Sequence, residues 1–360
     1  MKRFISIIVL TVVVFALSSC SGTKTDNSKE YLFSVSDGVL YKYNVHTGYR
    51  TTVCNDPLCK HDENSNCMFY DIGEEVFWYK NTVLYYKENT LYQYNPEKQS
   101  AELLYEAGGN ILYMYLTNNL LFFDSVVFDY SPDADHPVSV DIIRYDLSKA
   151  SAEKLNKDTL YDIQCIDLVV DDRLIWHDSG IQNMYSTDLD YGSRETIDYD
   201  YYGILAGNRS YKLELSSTSP LSFNLVFENN GQKEIALKDI VSVKGYDNSL
   251  IVTYNRKENK YIGKALDENG KEIEIYEYQS NDLYIYDQNG ENGKLLCRIP
   301  DDKIIYSFNT TYSTLDSGDY IGVLLKEYEF GNNGFITDYK VCKDIAIVNI
   351  KTGEVTISKG

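Results

Sequence analysis

The sequence of 360 residues is poor in several residue types, with 6 prolines, 4 methionines, 4 histidines and 2 tryptophans. Basic residues are also few, because 34 lysines and arginines stand against 54 aspartates and glutamates, which gives a formal net charge of −20. A protein that binds nucleic acid needs a basic surface to meet phosphates, so this balance excludes that class. It also argues against direct adsorption on an anionic membrane, which basic residues would drive.

Several motifs of catalysis are absent as well. The chain has no glycine-rich phosphate loop, no His-Glu-x-x-His and no Gly-x-Ser-x-Gly. No catalytic residue therefore follows from the sequence, and a binding role is favoured over an enzymatic one. Carboxylates are abundant, however, so a paired acid and base of the glycosidase type stays open.

The N-terminus has the features of a secretory signal peptide. Lys2 and Arg3 precede an apolar run over residues 4–17, and Leu-Ser-Ser-Cys follows at residues 17–20. This ending resembles the lipobox of bacterial lipoproteins. The resemblance implies a signal peptide at residues 1–19, lipidation (palmitate) of Cys20 and attachment to the extracytoplasmic face of the cell membrane. An ordinary signal peptide or a short transmembrane anchor is the alternative, but a spanning helix needs about 20 apolar residues.

Residues 20–30 are polar after the cysteine and are predicted to form a flexible tether, because they lack the apolar side chains that would order them. Beyond the tether, short alternating segments rich in tyrosine, which totals 34 residues, predict β-strands joined by tight turns. No long stretch has helical periodicity. The fold class is therefore all-β.

One strand ending recurs along residues 31–360. It reads apolar-x-apolar, then Asn or Asp, then a turn that closes near Gly, because Asn and Asp bond their own downstream backbone. These anchors are Asn44, Asn95, Asp146, Asp188, Asn229, Asp287 and Asn349. The first three are 51 residues apart, and the next two intervals are 42 and 41 residues. A four-stranded repeat of this length indicates a β-propeller, whose blades bury their faces on one another.

Seven anchors predict a propeller of about seven four-stranded blades, with six or eight as alternatives. The uncertainty comes from residues 266–270, which read either as an eighth anchor or as an inserted hairpin. The first unit also lacks an innermost strand, because the polar tether precedes Tyr31. A pair of β-sandwiches is the alternative architecture.

With these features the chain resembles lipid-anchored β-propeller lipoproteins of bacterial surfaces. Its blades are also distantly similar to the propeller of low-density-lipoprotein receptors, whose strands carry Tyr-Trp-Thr-Asp; residues 283–287, Leu-Tyr-Ile-Tyr-Asp, are the nearest match. The resemblance implies architecture and a binding role, and it brings no catalytic residue.

A loop at residues 54–67 holds three cysteines and a histidine, namely Cys54, Cys59, His61 and Cys67. Three thiols and one imidazole are the ligand set of a structural zinc site, and a metal would order a polar loop that has no core. Disulfides among Cys54, Cys59 and Cys67 are the alternative, since exported proteins commonly contain them. An odd number of cysteines in the loop would then require one to reach another cysteine elsewhere, and free thiols are a third possibility. The other cysteines are Cys165, Cys297 and Cys342.

We therefore expect a membrane-anchored extracytoplasmic propeller that binds or scaffolds an unknown protein or glycan, with no nucleic-acid partner. Two alternatives remain open from the sequence. One is a surface carbohydrate-active enzyme with carboxylates at the channel mouth, and the other is a sensor or assembly factor for a membrane complex.

Overall fold

The computed structural model describes residues 30–131, 134–156, 164–170, 172–178, 184–197, 204–206, 209–229, 232–307 and 316–360. Within these residues all regular structure is β-strand, which confirms the all-β prediction. No helix in these ranges is long and apolar enough to cross a membrane. The signal sequence, Cys20 and the tether up to residue 29 lie outside them.

The first four sheets follow one another as antiparallel meanders. Blade 1 consists of β1 (Tyr31–Ser36), β2 (Val39–Asn44) and β3 (Arg50–Thr52). Blade 2 consists of β4 (Phe77–Tyr79), β5 (Thr82–Lys87), β6 (Thr90–Asn95) and β7 (Ser100–Glu106). Blade 3 consists of β8 (Asn110–Thr117), β9 (Leu120–Ser131), β10 (Ala134–Asp146) and β11 (Ser151–Lys154). Blade 4 consists of β12 (Gln164–Val170), β13 (Arg173–Asp178), β14 (Met184–Asp188) and β15 (Glu195–Ile197).

The remaining strands pair into one continuous sheet of three further blades. Blade 5 consists of β16 (Ile204–Ala206), β17 (Arg209–Thr218), β18 (Leu221–Asn229) and the first half of β19 (Gln232–Tyr246). Blade 6 consists of the second half of β19, β20 (Ser249–Leu266), β22 (Asp282–Asp287) and β23 (Lys294–Arg298), with β21 (Glu272–Gln279) as an insertion. Blade 7 consists of β24 (Ile305–Ser307), β25 (Asp316–Ser317), β26 (Tyr320–Phe330), β27 (Ile336–Asn349) and β28 (Val355–Ile357).

The turns after the third strand of each blade form as the anchors predict. Asn44 Oδ1 accepts hydrogen bonds from the backbone N–H groups of His46 and Thr47 at 3.1 and 2.9 Å. The same side-chain arrangement occurs at five further anchors: Asn95, Asp146, Asp188, Asp287 and Asn349. The turn after Asn229 lies outside the described residues. Local side-chain chemistry thus sets where each blade turns toward its outer strand.

The strand pairing also answers two questions that the sequence left about the blades. The second half of β20 pairs with β21, so residues 266–270 form the tip of an inserted hairpin and not an eighth blade. In blade 1, the strand that ends in Asn44 is preceded by a single strand, so the described residues provide no innermost strand there.

Hydrophobic clusters join neighbouring blades. Leu84 and Leu91 of blade 2, for example, pack with Met114 and Phe123 of blade 3. Further clusters join blades 1 and 2, 3 and 4, 5 and 6, and 6 and 7. Because each fully buried aliphatic or aromatic side chain contributes about 1.5–3 kcal/mol, these boundaries provide the core that no single sheet has alone.

The last blade packs on the first, which closes the ring. Leu32 and Tyr41 of blade 1 share a buried cluster with Ile345 and Ile347 of blade 7. The backbone of Lys359 also pairs with that of Tyr49 in a parallel bridge. The Tyr43 hydroxyl group donates to the Lys343 carbonyl oxygen at 2.9 Å. Sequential meanders that return to their starting point are the architecture of a β-propeller, and seven blades are present in the described residues, as the anchors predict.

Candidate metal centre

The cysteine and histidine loop connects β3 of blade 1 with β4 of blade 2. Its far end is fixed to the β1–β2 turn, because the Leu40 N–H group donates to the Phe69 carbonyl oxygen at 3.2 Å and the Ile72 N–H group donates to that of Gly38 at 3.1 Å. The buried side chains of Phe69 and Ile72 belong to the cluster between blades 1 and 2. The loop is therefore held on a rigid base.

Two side-chain-capped turns bend the loop around a common point. Asp56 Oδ1 accepts the Leu58 N–H group at 2.9 Å, and the Asp56 carbonyl oxygen accepts the Cys59 N–H group at 3.2 Å. Farther along, Ser65 Oγ accepts the Asp62 N–H group at 3.0 Å and donates to the Asp62 carbonyl oxygen at 2.7 Å. Short polar residues favour such turns, so the composition of the loop explains its path.

The turns bring all four predicted ligands together. The sulfur atoms of Cys54, Cys59 and Cys67 and a ring nitrogen of His61 lie within 4.8 Å of one another. In a tetrahedral zinc site with Zn–S bonds of about 2.3 Å, neighbouring sulfurs are about 3.8 Å apart. A small contraction would therefore complete a four-coordinate site from these side chains.

The ligand atoms differ in their electrostatic surroundings. A hydrogen bond from the His61 backbone N–H group lowers the pKa of the Cys59 thiol. Burial raises the pKa of the Cys67 thiol to about 12, because its thiolate is poorly solvated and lies near the other two sulfurs. A divalent cation would supply the positive charge that the buried sulfur lacks.

Two polar atoms at this place have no hydrogen-bond partner. One is Nε2 of His61, and the other is the hydroxyl group of Tyr85, both of them buried. Tyr85 faces the cluster, since Cys67 contributes to the raised pKa of this phenol, after burial and Tyr92. A buried polar group without a hydrogen bond lowers the stability of the folded protein, and a metal ion bound to His61 would remove this penalty for one of the two atoms. The donor set and the orphaned nitrogen both fit zinc.

All six cysteines in the described ranges have free thiols. The three outside the loop lie on other blades, Cys165 on β12, Cys297 on β23 and Cys342 on β27. Burial raises the pKa of the Cys297 thiol to about 12, as expected for a small buried side chain of the core. None of the three joins the cluster.

Sequence reasoning missed a second polar site between blades 2 and 3. A cavity of about 420 Å³ is bordered by Glu74, Glu75, Glu88 and Tyr113, among others. Glu75 is only 6% exposed, and its carboxyl group accepts a 2.5 Å hydrogen bond from the Tyr86 hydroxyl group. Burial raises the pKa of Glu75 despite this bond. No sequence motif marks the site, because its residues come from three separate segments.

Comparisons with known proteins give no family. No family model and no curated protein matches the chain. Among solved structures, oligogalacturonate lyase from Vibrio parahaemolyticus is 12% identical with a TM-score of 0.47, and the match covers 87% of this chain and 91% of that one. TolB from Acinetobacter baumannii is 13% identical with a TM-score of 0.40, covering 78% of this chain and 68% of that one.

The β-propeller domain of the trilobed protease from Pyrococcus furiosus is 13% identical with a TM-score of 0.45, and the match covers 80% of this chain and 83% of that one. At these identities the similarity concerns the fold alone. The propeller assignment itself rests on the strand pairing and on the packing of the last blade against the first.

Proposed function

We propose that this chain is an extracytoplasmic β-propeller, held to the membrane by a lipid on Cys20, that acts as a binding or scaffolding module. One observation carries the binding role. The connections between the second and third strands of blades 3, 5, 6 and 7 extend as long hairpins, and equivalent connections emerge on the same face of a propeller.

These hairpins expose much of the apolar surface of the protein. Ten of the eighteen large apolar side chains that are exposed in the described residues lie on them. They are Val127, Leu215, Leu221, Tyr261, Leu266, Ile273, Tyr278, Phe330, Tyr339 and Val341. Apolar side chains gathered on one face typically mark an interaction surface. We name this surface the hairpin face.

The anchor is tested with Cys20→Ala in the full chain, and Cys342→Ala is the matched control. The first variant should leave the membrane fraction after a high-salt wash, because no lipid is attached, while the control should stay with the membranes. Retention of Cys20→Ala in washed membranes would contradict the lipid anchor.

We further propose that Cys54, Cys59, His61 and Cys67 hold one structural zinc ion. Four protein ligands leave no open position, so the ion would order the loop and take no part in chemistry. The unpartnered His61 Nε2 supports this role over free thiols. Disulfide formation is the competing outcome, and it predicts sensitivity to reductant where a metal predicts sensitivity to chelator.

The zinc proposal is tested by elemental analysis and thiol counting on full-length protein purified without added metal. We expect about one zinc per chain with every cysteine of the loop titratable after denaturation, and loss of the metal in His61→Ala. Cys297→Ser, far from the loop, should keep its zinc. Protein without metal and with two blocked loop cysteines would show a disulfide instead.

A carbohydrate-active enzyme is the second candidate function, and Glu75 is the observation that favours it. A buried carboxyl group with a raised pKa beside other carboxyl groups is the usual arrangement of a general acid in sugar cleavage. If the protein depolymerises a polysaccharide, Glu75→Gln should abolish the activity and Glu102→Gln, at an exposed position on β7, should not. Equal activity in both variants would exclude Glu75 as the acid.

A further inference from the structure

A compact aromatic site lies where the inserted hairpin of blade 6 meets blade 7. Tyr306 of β24, Tyr328 of β26 and Tyr339 of β27 form what we call the tyrosine platform. The ring centroids of Tyr306 and Tyr339 are 5.9 Å apart, and those of Tyr328 and Tyr339 are 6.5 Å apart. Tyr306 is 41% exposed and Tyr339 is 47% exposed. Two neighbouring rings are thus held together with much of their surface open to solvent.

A buried ion pair supports the platform. Lys326 Nζ lies 3.0 Å from Glu277 Oε2, and the two side chains are only 18% and 9% exposed. The ammonium group also lies 5.4 and 5.6 Å from the ring centroids of Tyr328 and Tyr339. Burial strengthens cation–π contacts of this kind, so Lys326 stabilises the positions of the Tyr328 and Tyr339 rings.

Glu277 is fully engaged in positioning these groups. Its Oε2 also accepts the Tyr328 hydroxyl group at 3.2 Å, and its Oε1 accepts the Gln279 N–H group at 3.3 Å. Burial opposes the charge on Lys326, but Glu277 and Tyr328 outweigh it and raise the pKa of the lysine. Burial raises the pKa of Tyr306, and Tyr339 raises it further, in part through a hydrogen bond between the two side chains, so the Tyr306 hydroxyl group stays protonated.

Tyr306 places the platform near the inner strands of the propeller. β24 is an innermost strand of blade 7, and the adjacent blade 1 has no innermost strand in the described residues. Glu74, from the segment that enters blade 2, is close enough to contribute to the raised pKa of Tyr306. The platform therefore lies near the segment that leads into blade 2, at the inner border of the hairpin face.

The charge of the site narrows the class of ligand. Lys326 and Glu277 neutralise each other, and the chain as a whole has a net charge of −20, so an anionic ligand would be repelled. A cationic ligand would have to compete with Lys326, which already occupies two of the rings. An uncharged ligand with a flat apolar face and many hydroxyl groups meets neither obstacle.

We propose that the tyrosine platform is a binding site for an uncharged saccharide, with the rings of Tyr306 and Tyr339, which are inclined at 40° to each other, packing against the apolar surface of the sugar. The hydroxyl groups of the platform bond the sugar hydroxyls, since tyrosine offers an apolar ring and a polar tip together. This inference rests on the proposed binding role and names its ligand class. It does not depend on the lipid anchor or on zinc.

The test measures binding of cellohexaose, maltohexaose and xylohexaose to the full-length Cys20→Ala protein by titration calorimetry, with a galacturonic acid hexamer as the charged comparison. We expect a neutral hexaose to bind and Tyr306→Ala or Tyr339→Ala to weaken it about tenfold, the equivalent of one lost aromatic contact. Tyr339→Phe should stay within about threefold because the ring remains. Tyr49→Ala, at a tyrosine that precedes β3 and is 60% exposed but lies outside the platform and the hairpin face, should bind like the parent.

Both exposed rings can be removed without opening the core, and thermal unfolding of each variant verifies that the fold persists. The inference is overturned if no neutral hexaose binds at millimolar concentration, if all variants bind equally, or if the galacturonic acid hexamer is preferred. Failure of the anchored-module proposal is distinguishable, because membrane fractionation of the wild type and of Cys20→Ala reports on it separately.

Discussion

Asp124 places a fully buried carboxyl group at the boundary of blades 3 and 4. It lies on β9, and its Oδ2 accepts the backbone N–H group of Ile166 on β12 at 3.0 Å. Its Oδ1 is buried without any hydrogen-bond partner. Burial raises the pKa of Asp124 well above its ordinary value, with a further contribution from Asp167 against the lowering effect of Ile166. The folded protein therefore keeps a proton that the unfolded chain gives up.

This difference makes stability depend on pH with a definite sign. Above about pH 4 the unfolded chain has lost the Asp124 proton, while the folded protein holds it up to the raised pKa. Across that window this group makes the free energy of unfolding fall by about 1.4 kcal/mol per pH unit. The substitution Asp124→Asn leaves no proton to lose, and the new amide oxygen can still accept the Ile166 N–H group.

We expect the stability of Asp124→Asn relative to the wild type to rise as the pH increases above about 4, by about 1.4 kcal/mol per pH unit until the raised pKa is reached. The assay is urea unfolding followed by tyrosine and tryptophan fluorescence at pH 5, 6 and 7. Glu102→Gln, which removes an exposed carboxyl group from β7, should run parallel to the wild type. A stability difference between Asp124→Asn and wild type that stays constant with pH would refute the reasoning.

Three further substitutions are checked by the same unfolding assay at one pH. Gly73→Ala should cost about 1–3 kcal/mol, because a Cβ there would lie 1.9 Å from the ring of Tyr86. Tyr43→Phe should cost about 1 kcal/mol, because it removes the bond to the Lys343 carbonyl oxygen that closes the ring. Leu91→Ala should cost about 2–5 kcal/mol, because it opens a cavity between blades 2 and 3.

Each of these has a matched control in the same chain. Gly108→Ala should be harmless, since a Cβ there meets nothing within 4 Å. Tyr94→Phe removes a buried hydroxyl group that has no partner and should cost nothing. Leu103→Ala affects a side chain that is 57% exposed and should stay within about 0.5 kcal/mol. A control as destabilising as its partner would show that the stated contact is not the cause.

The blade turns could be predicted because their chemistry is local. Asn44 and the equivalent anchors bond N–H groups two to four residues ahead, so a short stretch of sequence contains the whole interaction. The loop at residues 54–67 was accessible for the same reason, since its four candidate ligands are separated only by short polar turns. Whether a metal or a disulfide joins them stays a prediction, because both use the same side chains.

Residues 266–270 illustrate the limit of such local reasoning. Their turn has the same pattern as a blade anchor, and Asp267 Oδ1 accepts the N–H groups of Asn269 and Lys271 at 2.9 and 2.8 Å. Only the pairing of β20 with both β21 and β22 makes it the tip of an insertion. Which strand a segment pairs with depends on the other strands that are available around it. The sequence of the segment alone does not contain that information.

The sequence by itself determined the all-β class, the recurring turns and the composition of the cysteine loop, because strand patterning and turn chemistry act within a few residues. The pairing of β20 then settled the blade number. The tertiary structure alone decided how the ring closes, through contacts such as Tyr43 to Lys343 across 300 residues. It likewise assembled the Glu75 cavity, the Asp124 boundary and the tyrosine platform from separate strands. Burial and charge pairing at these three sites arise only when distant segments of the chain pack together, so no local sequence pattern predicts them.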